Sequence, residues 1–230
     1  MYFQIAMLCA CLGMLIAFIP RIDVWVVKYK LAATALWLSI LVGVCRLLAL
    51  WATAQTVLTK TALMFVFNWG KAVLFFLLAW LTVLLIRSVV AKDSNLSPAF
   101  RRMAARIVKT TIWAATITCA SFYCMVSIGK MRNAKEMEEF FVQSGYPASL
   151  NYVIIIMECF FSIGLLLHAK IRTGLLSAMV LLVVMLGAIF THARNGDPIA
   201  ASYDAFAQLF VLCLLIALFL VEKKHRKATA

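Results

Sequence analysis

Three ionisable residues fall inside long apolar runs of the chain: Arg46, Lys71 and Glu158. Charge in hydrocarbon is costly, so such groups turn towards a bundle interior, a partner or a water-filled cavity. At the helical rise, Arg46 and Glu158 lie roughly 10 Å and Lys71 roughly 14 Å below the same membrane face. A cation beside a carboxylate offsets desolvation. The spacing therefore predicts a Glu158–Arg46 or Glu158–Lys71 pair lining a pocket that opens outward. The competing reading has both cations snorkelling and Glu158 protonated or capped by a neighbour. A second polar group, Lys130, His192, Arg194 and Asp197, marks the outer rim. His192 could exchange protons near neutral pH, and Lys130 is expected to snorkel at the interface.

Other chemistries find no support. The chain carries no Walker loop, zincin motif, nucleophile elbow or dinucleotide fingerprint. His168 and His192 fall at opposite membrane faces, so a haem held by two histidines is not expected. The seven cysteines form no Cys-x-x-Cys pair and read as small apolar fillers. Glu136, Glu138 and Glu139 form the exposed face of a loop helix, and no metal site is expected.

The elements that must carry these residues follow from composition. Of 230 residues, 65% are apolar and only 13% charged, and mean hydropathy is +1.00. Soluble domains hold about 25% charged residues, so the solvent of this chain is lipid. Apolar runs near 2–20, 31–53, 62–86, 110–128, 151–168, 173–192 and 204–221 predict seven spanning helices. Their all-round apolarity excludes a β-barrel pattern. The N-terminal run lacks a basic n-region and reads as a first span rather than a leader. Ser97-Pro98 reads as an N-cap and N1 proline opening a short helix before span four.

The formal net charge of +13 sorts by side. Fifteen basic residues flank the spans on one face: Arg21, Lys28, Lys30, Arg87, Lys92, Arg101, Arg102, Arg106, Lys109, Lys170, Arg172, Lys223, Lys224, Arg226 and Lys227. Five lie on the other: Lys60, Lys130, Arg132, Lys135 and Arg194. The bias predicts an outside N-terminus and a cytosolic C-terminus. Arg101, Arg102, Arg106 and Lys109 form the basic face of the linker helix and are candidate contacts for anionic lipid headgroups. Topology accounts for the charge, so nucleic acid is not an expected partner.

From about residue 105 to 222 an ordered set of motifs appears. Ser127-Ile128-Gly129-Lys130-Met131 ends one span, and Phe140-Phe141 and Ser144-Gly145-Tyr146-Pro147 follow in the loop. Glu158 lies inside the next span, and Thr191-His192-Ala193-Arg194-Asn195-Gly196-Asp197 ends a third. This order resembles the DoxX-like family. Where members usually carry a Gly-Gly pair after the glutamate, this chain has Phe161 and Ser162, with a glycine at Gly164. Physically, the Gly-Tyr-Pro stretch makes a tight reversal and Gly164 permits close helix approach.

The expected architecture is an all-α polytopic membrane bundle of three N-terminal helices plus a DoxX-like four-helix bundle. It divides into 1–90, a basic linker helix 91–109, the four-helix domain 110–222 and a basic tail 223–230. The resemblance implies an integral protein of a bacterial cytoplasmic membrane acting as a redox-linked accessory subunit. Quinone is the cofactor it admits, and a second membrane protein the partner. A non-catalytic assembly factor is the alternative. A small-solute permease ranks third, because three plus four spans show no inverted repeat. No residue is assigned a catalytic role.

Overall fold

The computed structural model describes residues 11–12, 25–51, 57–90 and 98–229. The first expected span, 2–20, lies almost wholly outside the described residues. Among the described residues the chain is all-helical. The helices are α1 (Trp25–Trp51), α2 (Val57–Val90), α3 (Pro98–Arg132), α4 (Ala134–Gln143) and α5 (Leu150–Leu166). The one-turn α6 (His168–Ile171), α7 (Gly174–Arg194), a 3-10 turn (Ile199–Ser202) and α8 (Tyr203–Thr229) complete the order.

Each of the six remaining expected spans coincides with a helix. Among the described residues, three stretches are long and apolar enough to cross a membrane: Ala105–Arg132, Gly174–Arg194 and Ile199–Lys224. Shorter apolar helical stretches occupy Lys30–Val42, Gly70–Ile86 and Leu150–Leu166. At 17 residues, α5 covers about 25 Å, less than a bilayer core of about 30 Å.

The separate linker helix expected over 98–109 is instead the opening of α3, which runs unbroken to Arg132. No glycine or proline interrupts 99–128. At the junction the Thr111 hydroxyl donates to the Ile107 carbonyl at 2.8 Å, satisfying itself within the helix. Arg102, Arg106 and Lys109 are exposed, while Ile107 and Val108 are buried. The Arg101 side chain lies outside the described residues.

The fold divides into two units, 1–118 with 214–230, and 119–213; α3 and α8 contribute to both. In the first, α1 packs along α2. The α1 face is built from Ala32, Ala35, Ser39 and Val42, spaced three and four apart as one helical stripe requires. Gly70 lets the helices close: a Cβ there would stand 2.7 Å from the Val42 Cγ2. Between Leu74 and Leu85, α2 is buried on nearly every side, as its continuous apolar sequence dictates.

In the second unit α5 packs along α7. Asn151, Ile155, Glu158, Ser162 and Leu165 form the buried stripe of α5. Gly164 fits directly against Ser177 of α7, where an added methyl would collide with the serine hydroxyl. The reversal between them is tied locally. The Thr173 hydroxyl donates to the Gly164 carbonyl at 2.7 Å, and the Gly174 N–H donates to the His168 Nδ1 at 3.2 Å. The opposite faces carry exposed Ile156, Phe160 and Ile163 on α5 and Leu176, Met179, Val183, Leu186 and Phe190 on α7. Those stripes suit lipid.

Candidate functional site

The second unit encloses a cavity of about 370 Å³. Its walls come from the end of α3, from α4 and the loop after it, from the first three turns of α5 and from the last three turns of α7. Phe140, Phe141, Tyr146 and Phe190 give it an aromatic lining, and Leu150, Ile154, Val184 and Met185 continue the apolar wall. Lys130, Glu158, Thr191 and His192 supply the polar groups.

Glu158 is the deepest of these. Its side chain is fully buried, yet it is not alone. The Lys130 ammonium donates to its Oε1 at 2.6 Å, and the Ser127 hydroxyl donates to its Oε2 at 3.3 Å. Lys130 retains 19% exposure against 0% for Glu158, and both line the cavity. Such a pair offsets desolvation because the carboxylate's lone pairs are taken up by charge-assisted donors. The Ser162 hydroxyl donates to the Glu158 carbonyl and anchors the same turn of α5.

The rim is a second network. The His192 Nδ1 and the Asp197 Oδ2 are 2.7 Å apart. The His192 ring also lies against Phe140, with centroids 5.4 Å apart. The Arg194 guanidinium stacks 4.7 Å from the centre of the Tyr146 ring and donates to the Ser144 carbonyl. The Asn195 amide donates to the Ser144 hydroxyl at 2.7 Å. Two glycines in left-handed backbone, Gly145 (φ 77°) and Gly196 (φ 72°), set the chain reversals beside these contacts. The Thr191 hydroxyl, and after it the Arg194 guanidinium, hold the Tyr146 phenol below the usual tyrosine range. On the far side of α4, the Tyr152 hydroxyl donates to Glu138 at 2.6 Å and fixes α4 to α5.

Residues 114–219 match the DoxX-like family model. That C-terminal region is DoxX-like. No curated protein and no solved structure matches the chain. The whole cavity lies within the DoxX-like region.

The structure gathers five of the sequence-derived candidates at this one place. Glu158, Lys130 and His192 line the cavity, Asp197 holds His192, and Arg194 braces the rim. Lys130 departs from its expected role. Its ammonium turns inward to Glu158 rather than outward, because a fully buried carboxylate within reach outweighs hydration of one more surface ammonium. The described partners of Glu158 are thus Lys130 and Ser127. Lys71, in the first unit, stands 5.9 Å from the Phe75 ring centre. The Arg46 side chain lies outside the described residues.

Ser127, Thr191, Phe140, Phe141 and Tyr146 stood in the sequence motifs but were not named as site residues. A signal existed for Ser127. It precedes Lys130 by three residues, so both project from one helical face. The DoxX-like region also accommodates the missing Gly-Gly pair. Ser162 uses its hydroxyl on the Glu158 carbonyl, and Gly164 takes over the close approach to α7.

Proposed function

We propose that the cavity binds a neutral, ring-headed apolar molecule of the quinone class, and that the protein serves as a membrane-embedded accessory subunit of a redox system. The observation that carries this reading is the pairing of the fully buried Glu158 with Lys130 on the wall of an aromatic-lined cavity. A volume of about 370 Å³ lies within the range of small-molecule sites, which are apolar with a few placed polar groups. A quinone ring presents carbonyl acceptors, which suit the Lys130 ammonium and the His192 ring. Its reduced form presents hydroxyl donors, which suit the Glu158 carboxylate. Phe140, Phe141 and Tyr146 offer ring faces for stacking. The pair is neutral overall, which favours an uncharged ligand.

The wider setting is part of the same proposal. The chain crosses the membrane seven times, with its N-terminus outside and its C-terminus in the cytosol of a bacterial inner membrane. The charge asymmetry of its flanks supports that orientation. Exposed Arg102, Arg106 and Lys109, together with Arg101, meet anionic headgroups. The redox partner is a second membrane protein.

The test is equilibrium binding of a short-chain quinone to the full chain in nanodiscs. Saturable binding is expected, weakened about tenfold, or 1.4 kcal/mol, by Glu158→Gln and by His192→Ala. Absence of saturable binding to the unaltered protein, or indifference to both substitutions, overturns the assignment.

A further inference from the structure

Three side chains of the second unit are buried with polar atoms that have no hydrogen-bond partner: the Tyr123 hydroxyl, both amide atoms of Asn151 and the Gln208 carbonyl oxygen. Tyr123 and Asn151 are fully buried and Gln208 is 2% exposed. Buried polar groups without partners are costly, and ordered water is the usual remedy. Two of them lie on helix faces that carry the Glu158 cluster. Asn151 and Glu158 are seven residues apart on the buried stripe of α5, a rise of about 10 Å. Tyr123, Ser127 and Lys130 share one face of α3 at spacings of four and three. Ser127 and Lys130 already touch Glu158 from that face. Neither Asn151, Tyr123 nor Gln208 lines the cavity. Asn151 shares the buried stripe of Glu158, and Tyr123 shares the α3 face of its partners, so the two belong to a buried polar layer that does not line the cavity.

We infer that this layer holds a file of internal water linking Asn151, Glu158 and Tyr123, and that Glu158 exchanges protons with the file while it faces the cavity. About three waters at ordinary hydrogen-bond spacing bridge a gap of about 10 Å. Each finds the two or more polar partners that an internal water needs. The titratable groups facing Glu158 among the described residues are Lys130 and Tyr123 of α3 and, across the cavity, His192 of α7. The proton moves between the Glu158 carboxylate and water, with Lys130 compensating the charge. No electron transfer is involved. The inference rests on the reading of the cavity as a ligand site only for its use, because its measurements need no quinone.

Two experiments on the full chain in nanodiscs test it. In hydroxyl-radical footprinting, Tyr123 is expected to be modified several-fold faster than Phe75, an equally buried aromatic residue of α2. In a pH jump followed by time-resolved infrared absorption of the Glu158 carboxyl, Tyr123→Phe and Asn151→Leu are each expected to slow protonation about tenfold. The band is assigned by its loss in Glu158→Gln. Tyr123→Phe removes one oxygen and keeps the shape, so it decides the matter if Asn151→Leu fails to fold. Tyr123 as inert as Phe75, or protonation rates unchanged in the variants, overturns the inference. Failure of quinone to bind overturns the proposed function and leaves both results standing.

Discussion

The Lys130 ammonium reaches 2.6 Å from a Glu158 carboxylate that has no exposed surface. Breaking such a pair from one side strands a buried charge, which costs about 3–5 kcal/mol. Lys130→Met is therefore expected to lower the thermal midpoint of the solubilised protein sharply. Adding Glu158→Gln is expected to recover most of the loss. A double variant no more stable than Lys130→Met would show that the pair is not the source of the effect.

At the contact of α5 with α7, Gly164 leaves no room for a methyl group beside the Ser177 hydroxyl. Gly164→Ala is expected to destabilise by about 1–3 kcal/mol through overpacking. Ser177→Ala removes the offending oxygen and leaves the serine Cβ at 3.5 Å, an ordinary contact. The double variant is thus expected to return towards the unaltered stability, as read by denaturation midpoints. Additive losses in the two variants would contradict this packing.

Tyr146 is held below the usual tyrosine value by Thr191 and Arg194. Folding favours the phenolate relative to the unfolded chain, so stabilisation from this group is greatest above the ordinary tyrosine value. It fades as pH falls through the lowered one. Ultraviolet titration against Tyr146→Phe should show one phenol ionising early. Thr191→Val should move that ionisation back up, and Arg194→Gln should do so to a smaller extent. An early phenol unaffected by either change would place it elsewhere.

The His192 Nδ1 has its acceptor in Asp197 at 2.7 Å. Asp197→Asn removes the charge that fixes the ring beside Phe140, at a cost of about 1.5–3 kcal/mol in that hydrogen bond. The expected readout is several-fold weaker binding of short-chain quinone with little change in the helical circular dichroism signal. Unchanged binding would remove His192 from the ligand's contacts.

Much of the scaffold was legible because its causes are one-dimensional. An apolar run of given length makes a helix in lipid, and Glu158 stands out as a carboxylate deep inside one. Gly164 was readable for a similar reason, since only close approach rewards a glycine there. The direction of Lys130 was not. A lysine near a helix end can snorkel or turn inward, and the choice depends on a partner 28 residues away. The aromatic lining was hidden for the same reason. Phe140 and Phe141 sit on a loop helix whose placement is fixed by tertiary contacts such as that of Tyr152 with Glu138. The continuity of α3 was missed because the change from basic to apolar composition near Lys109 suggested a boundary that the backbone has no reason to observe.

Gly145 and Gly196 shape the rim by backbone conformation alone, in a region of φ that other residues enter only with strain. The frame of the opening is therefore specified separately from its upholstery. Val184, Met185 and Ala188 line the cavity without taking part in either reversal. Enlarging or shrinking them changes which molecules fit while the doorway keeps its outline. One scaffold of this kind can diversify its guests through wall substitutions, leaving the Glu158–Lys130 pair and the glycine turns untouched.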